Sequence, residues 1–238
     1  MKQILNLIVG LTAIGLAYSE AATTYTDGTG ENIWSHAPAD ILSAEVSNNN
    51  DDLVFKVTVG GDITVNGWAN HMIAISTGAS AGAPSGNAWN RPINFNSPNG
   101  GMNYWVGSWS GGYQLWTFNG TGWDGPANPA GSSYSNVGSL LTYTIKRTAL
   151  GLTSNNDQTI YFDIYSSGSN GGDGAIDALS KATQTIANWG DTYSTGGGSG
   201  AGNALSYTVS GIPEPSSSLL MGLGLAGLAV LRRARKNA

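Results

Sequence analysis

The chain has 238 residues, no cysteine, two histidines, 35 glycines and a formal net charge of −5. An acidic chain lacks the basic face that phosphates require, which argues against nucleic acid as a partner. The missing cysteines exclude disulfides, thiolate metal sites and a cysteine nucleophile. His36 and His71 stand far apart in sequence, so a histidine-based zinc site or a Ser-His-Asp triad is poorly supported.

Residues 1–21 read as a secretory signal peptide. Lys2 supplies a positive start, and residues 4–17 form an apolar run interrupted only by Asn6 and Thr12. Small residues follow and suit cleavage after Ser19 or after Ala21. Export normally permits disulfides, so a cysteine-free exported domain is held by its core or by bound ions.

Residues 22–211 then form one domain, long enough to bury a core. It holds five cations against thirteen acids, a net charge of −8. Short alternating segments separated by Gly, Asn, Ser and Pro clusters predict an all-β fold, an antiparallel β-sandwich of jelly-roll or immunoglobulin-like type. Residues 41–47 are the first predicted strand, and Asn48, Asn49, Asn50 and Asp51 make a turn. Residues 52–59 alternate cleanly, with Leu53, Phe55, Val57 and Val59 on one face and Lys56 and Thr58 on the other. Residues 71–76 are a third strand, followed by a long connection over 77–101. Residues 102–107 and 112–118 form an aromatic hairpin, and Trp123 is placed in the polar loop beyond. Residues 140–147 and 158–165 alternate again, with Leu141, Tyr143 and Ile145 inward in the first and Ile160, Phe162 and Ile164 in the second. Residues 204–209 make the last strand. Residues 175–187 hold at most one or two helical turns, and 195–202 is a flexible glycine loop.

Three constellations in this domain bear chemistry. Trp89, Trp105, Trp109, Trp116 and Trp123 offer faces that pack against the C–H surfaces of sugar rings, or else fill the core. Trp109 and Trp123 stand in turns, and together with Trp105 they are the candidate ligand contacts. Asn170, Asp173 and Asp177 lie in an acidic glycine loop and can offer hard oxygens to a structural calcium ion, although their spacing is not that of an EF-hand. No other cofactor is called for. Glu31, Asp40, Glu45, Asp124, Asp163 and Asp191 are scattered acids, and nothing in their spacing selects the facing pair a glycosidase needs.

Residues 212–238 form a tripartite tail. Pro213-Glu214-Pro215 fix a rigid, non-helical turn. Residues 216–231 are apolar and predict a hydrophobic helix of 16 residues, shorter than the ~20 of a typical span. Arg232, Arg233, Arg235 and Lys236 follow and predict a cytoplasmic end. In this order the three features resemble the PEP-CTERM sorting signal of Gram-negative bacteria. That resemblance implies an exosortase as processing partner, transient anchoring in the inner membrane, removal of the tail, and delivery to the cell surface or extracellular matrix.

Residues 34–59, with a Trp and an Asp ahead of a strand, a polar turn and a D-x-L-x-F-x-V-type strand, resemble family-9-type carbohydrate-binding modules and DOMON-like sandwiches. Residues 141–165 are similar to that fold's closing half. The expected function is a non-enzymatic surface or matrix protein that binds glycan, exopolysaccharide being the implied partner. A polysaccharide hydrolase with two carboxylates is the alternative, and an adhesive protein with no small ligand is a third.

Overall fold

The computed structural model describes residues 22–65, 67–153 and 156–211. The signal peptide, the apolar run 216–231 and the other tail residues lie outside these. Among the described residues no helix is long and apolar enough to cross a membrane.

The described chain is all-β. In order, its strands are β1 (Thr23–Thr26), β2 (Ile41–Asn48), β3 (Asp52–Val59), β4 (Asn70–Ser76), β5 (Ile93–Phe95), β6 (Tyr104–Trp109) and β7 (Gly112–Phe118). They continue as β8 (Trp123–Ala127), β9 (Ser133–Val137), β10 (Leu140–Lys146), β11 (Gln158–Ser167), β12 (Asp177–Ala178), β13 (Tyr193–Thr195) and β14 (Leu205–Val209). One antiparallel sheet runs β1-β2-β3-β10-β9. A second runs β12-β11-β4-β6-β7-β8, with β14 also pairing β11.

The β2–β3 hairpin follows directly from its residues. Leu53, Phe55, Val57 and Val59 are all buried, and the register sets Val46 opposite Phe55 and Ala44 opposite Val57. Asn49 Oδ1 accepts the backbone N–H groups of Asp51 and Asp52, both at 2.8 Å, which closes the turn. On the solvent face Lys56 pairs with Glu45 across the strands at 2.7 Å. The inward residues of this sheet meet Ile73, Ile75, Val106, Leu115, Ile160, Phe162 and Ile164 from the other, so two sheets enclose one core, consistent with a sandwich. Phe162 packs edge-on against both Phe55 and Tyr25, with ring centroids 5.3 and 5.1 Å apart. The Tyr143 hydroxyl crosses the core to Ser108 Oγ at 2.6 Å, which satisfies both buried groups.

The larger sheet is buried on both faces. Met72, Ala74, Trp105 and Tyr165 point away from the shared core into a second cluster with Ile93, Phe95, Ile176, Ile186 and Tyr193. The long connections roof that outer face, and within them β5 and β13 form a short parallel pair that the alternation pattern did not reveal. Residues 175–187 correct the helical expectation. Ala175 to Leu179 are buried without a break, and β12 pairs with β11 there. A one-faced surface helix would expose part of such a run. Trp123 likewise opens a strand, β8, rather than lying in a loop.

Candidate functional site

Trp105 is fully buried on β6 beside Tyr165, so it serves the outer cluster and presents no face to a ligand. Trp109 keeps 36% of its surface exposed, over a cleft of about 360 Å³ with Tyr113, Gln114 and Asn128. The register places Trp109 beside Gly112 and Trp123 beside Phe118, at opposite ends of β7, so one small ligand does not span both. Trp123 donates from Nε1 to the Gly86 carbonyl at 2.7 Å. Gln114 Oε1 already accepts from the indoles of Trp89 and Trp116, at 3.1 and 3.3 Å. Gln114 in the Trp109 cleft is therefore committed to the fold, whereas the buried hydroxyl of Tyr113, which lines the same cleft, has no hydrogen-bond partner among the described residues.

A second cleft, of about 370 Å³, lies where the end of β11 meets the start of β4. Trp68, Trp189, Gly168, Ser169, Asn170 and Asp173 line it. Asn70 at the head of β4 donates to the Gly168 carbonyl at 3.1 Å and ties the two ends together. Trp189 stacks on Trp34, with centroids 3.8 Å apart and planes 17° apart. Trp68 meets Trp189 edge-on at 5.7 Å and lies parallel to the His36 ring at 4.0 Å. Gly168 is needed for close approach, since a Cβ there would press on the Asp173 carboxylate and lie 2.6 Å from the Trp189 ring.

The polar wall of this cleft is built from below. Buried Arg91 donates through Nη1 to Ser167 Oγ at 2.8 Å and to the Asn170 carbonyl at 2.9 Å, propping the 168–173 loop. Burial lowers the Arg91 guanidinium's pKa, and the nearby Asp173 charge opposes that shift. Asp173 Oδ2 accepts the Asn170 N–H at 2.9 Å. Among the described residues, the Ser169 hydroxyl and the Asn170 side-chain amide make no hydrogen bond. Free donors and acceptors beside indole faces are the chemistry that holds a sugar ring edge and face.

The structure separates the three expected calcium ligands. Asn170 and Asp173 share the cleft loop, but the chain bends at Gly174 and carries Asp177 into β12. There its Oδ2 accepts the Ile41 N–H at 2.6 Å and its Oδ1 the Ala178 N–H at 2.8 Å. Asp177 instead converges with Asp27 and Glu31. Burial, then the neighbouring Asp177 charge, pushes Asp27 up to about 8. Burial is also the main cause that moves Asp177 up to about 7.

Sequence reasoning missed Trp34, Trp68 and Trp189. The signal that singles out Trp123, an isolated indole among Gly, Asn and Asp, also stands in N-G-W-A-N at 66–70 and N-W-G-D at 188–191. Their convergence is tertiary and has no trace in spacing.

Pro213, Glu214, Pro215, Arg232, Arg233, Arg235 and Lys236 fall outside the described residues. No curated protein matches the chain. Residues 211–236, however, match the PEP-CTERM protein-sorting motif. The match spans the tail alone, and it supports an exported protein sorted by an exosortase.

Proposed function

We propose that the folded domain is a non-catalytic glycan-binding module, displayed at the cell surface or in the extracellular matrix once its tail is removed. The observation that carries this reading is the Trp68–Trp189 cleft, with the free Asn170 amide and Ser169 hydroxyl beside its indoles. An acidic exopolysaccharide would meet repulsion from a domain of net −8, so a neutral glycan is the better fit. The two-sheet core agrees with the resemblance to carbohydrate-binding sandwiches, and a jelly-roll connectivity is part of this proposal. The non-catalytic part rests on access. A glycosidase needs two carboxyl groups about 5–9.5 Å apart across an open cleft. Among the described residues Asp173 is the one carboxylate lining this cleft, and the Asp27–Glu31–Asp177 cluster is closed to solvent at its unpartnered oxygens.

Glycan-array binding followed by titration tests the reading. Trp189→Ala removes a stacking face and weakens binding at least ~10-fold, the usual loss for a central aromatic anchor. The double variant Trp109→Ala, Trp123→Ala leaves binding unchanged. Loss in the double variant and none in Trp189→Ala would move the site to the β6–β8 face.

A further inference from the structure

Asp27 follows β1, Glu31 stands in the turn after it, and Asp177 lies on β12. One carboxylate oxygen from each lies within 4.8 Å of the other two. Asp27 Oδ2 and both oxygens of Glu31 are shut off from solvent and have no hydrogen-bond partner. An ionised carboxylate only accepts, and among the described residues no donor makes a well-formed hydrogen bond to these three atoms, although the Glu31 backbone N–H lies close enough to favour the charged form of its own carboxylate. Among the described residues no lysine or arginine forms an ion pair with them either. The two ion pairs among the described residues belong to Glu45 and Asp52. Two backbone N–H groups hold the Asp177 carboxylate in place. A fourth acid, Asp40, is near enough for its charge to act on Glu31 and Asp177, and it is held by the Gly30 N–H at 2.9 Å and by Asn32 Nδ2 at 3.2 Å. A Cβ at Gly28 would lie 3.0 Å from the Glu31 carboxyl carbon and from each of its oxygens, so glycine is what lets the turn fold Glu31 inward.

We propose that Asp27, Glu31 and Asp177 form a calcium site that clasps the edges of the two sheets. Three carboxylates converge here, and the buried, unpartnered oxygens of Asp27 and Glu31, set beside an Asp177 carboxylate already fixed by two backbone N–H groups, are acceptors awaiting a cation. An all-oxygen set in an irregular turn suits a hard, flexibly coordinated divalent ion and offers nothing to a thiophilic one. The ion joins the outermost strand of one sheet, β1, to an edge strand of the other, β12. In a chain without cysteine it does the work of a disulfide. The turn it fixes runs on to Trp34, which stacks on Trp189. Calcium would therefore also steady one side of the aromatic cleft. That last consequence rests on the glycan-binding reading, whereas the metal site itself stands without it.

The test uses the full chain in mild detergent, stripped with a chelator and titrated with calcium chloride by calorimetry, with thermal unfolding followed in parallel. The wild type takes up calcium with a dissociation constant in the range of extracellular modules, about 10⁻⁴–10⁻³ M, at this site. Saturation raises its melting temperature by roughly 5 °C or more. Glu31→Gln and, independently, Asp27→Asn weaken calcium binding at least ~10-fold, as loss of one charged ligand does. Asp173→Asn, outside the cluster, leaves it unchanged. A wild-type chain that binds no calcium at millimolar concentration overturns the proposal, and so does equal affinity in wild type and Glu31→Gln. Glycan binding is measured on the same samples without calcium, so failure of the cleft and failure of the metal site are read separately.

Discussion

Asp163 is fully buried on β11, where its carboxyl accepts from the Ser180 hydroxyl at 2.7 Å, the Ile164 N–H at 2.8 Å and the Thr195 hydroxyl. Burial outweighs those bonds and raises it to about 6. A folded value above the unfolded one means that the folded chain holds the proton more tightly. This contribution is complete below pH 4 and is lost as pH rises through 6, about 3 kcal/mol in all. His71 runs the other way. It is buried, its Nε2 faces the Pro38 carbonyl at 3.0 Å, and burial lowers it to about 4. Its folded value lies below the unfolded one, so its contribution is present above about pH 6.5 and is lost as pH falls toward 4. Between pH 4 and 6 the two slopes oppose each other. Asp163→Asn removes one of them, so urea unfolding of that variant gains stability from pH 4 to pH 6 more steeply than wild type does. Parallel profiles would contradict this assignment.

Among the elements, β2, β3, β10 and β11 were legible because their apolar residues alternate and one face of each meets the core. Register and burial then follow from the period of two. β1, β8 and β9 were not legible. Their sequences, TTYT, WDGPA and SYSNV, are polar or carry Gly and Pro, and all three lie at the edges of sheets, where neither face needs to be apolar. The site was legible only in its polar half. Asn170 and Asp173 were singled out, but Trp34, Trp68 and Trp189 meet through long connections that no local period records. Phe162 tests the element-scale account. It lies at the centre of the shared core against Phe55 and Tyr25, so Phe162→Ala costs about 3–5 kcal/mol in chemical denaturation. A loss below about 1 kcal/mol, the scale of a surface change, would mean that the sheets do not pack through this ring.

At the scale of the whole molecule, an acidic, cysteine-free β domain stands ahead of a sorting tail. Everything proposed for its surface presupposes that the domain reaches the outside and that both chain ends serve delivery alone. Intact mass spectrometry of the protein recovered from the surface and medium of its own cells tests this most directly. The account predicts a chain that begins after Ser19 or Ala21 and lacks the apolar and basic tail. Replacing Pro213, Glu214 and Pro215 by alanine leaves the tail attached and the protein in the membrane fraction. A full-length chain from Met1 to Ala238 in the cytosol, or identical mass and location for the two proteins, would contradict it.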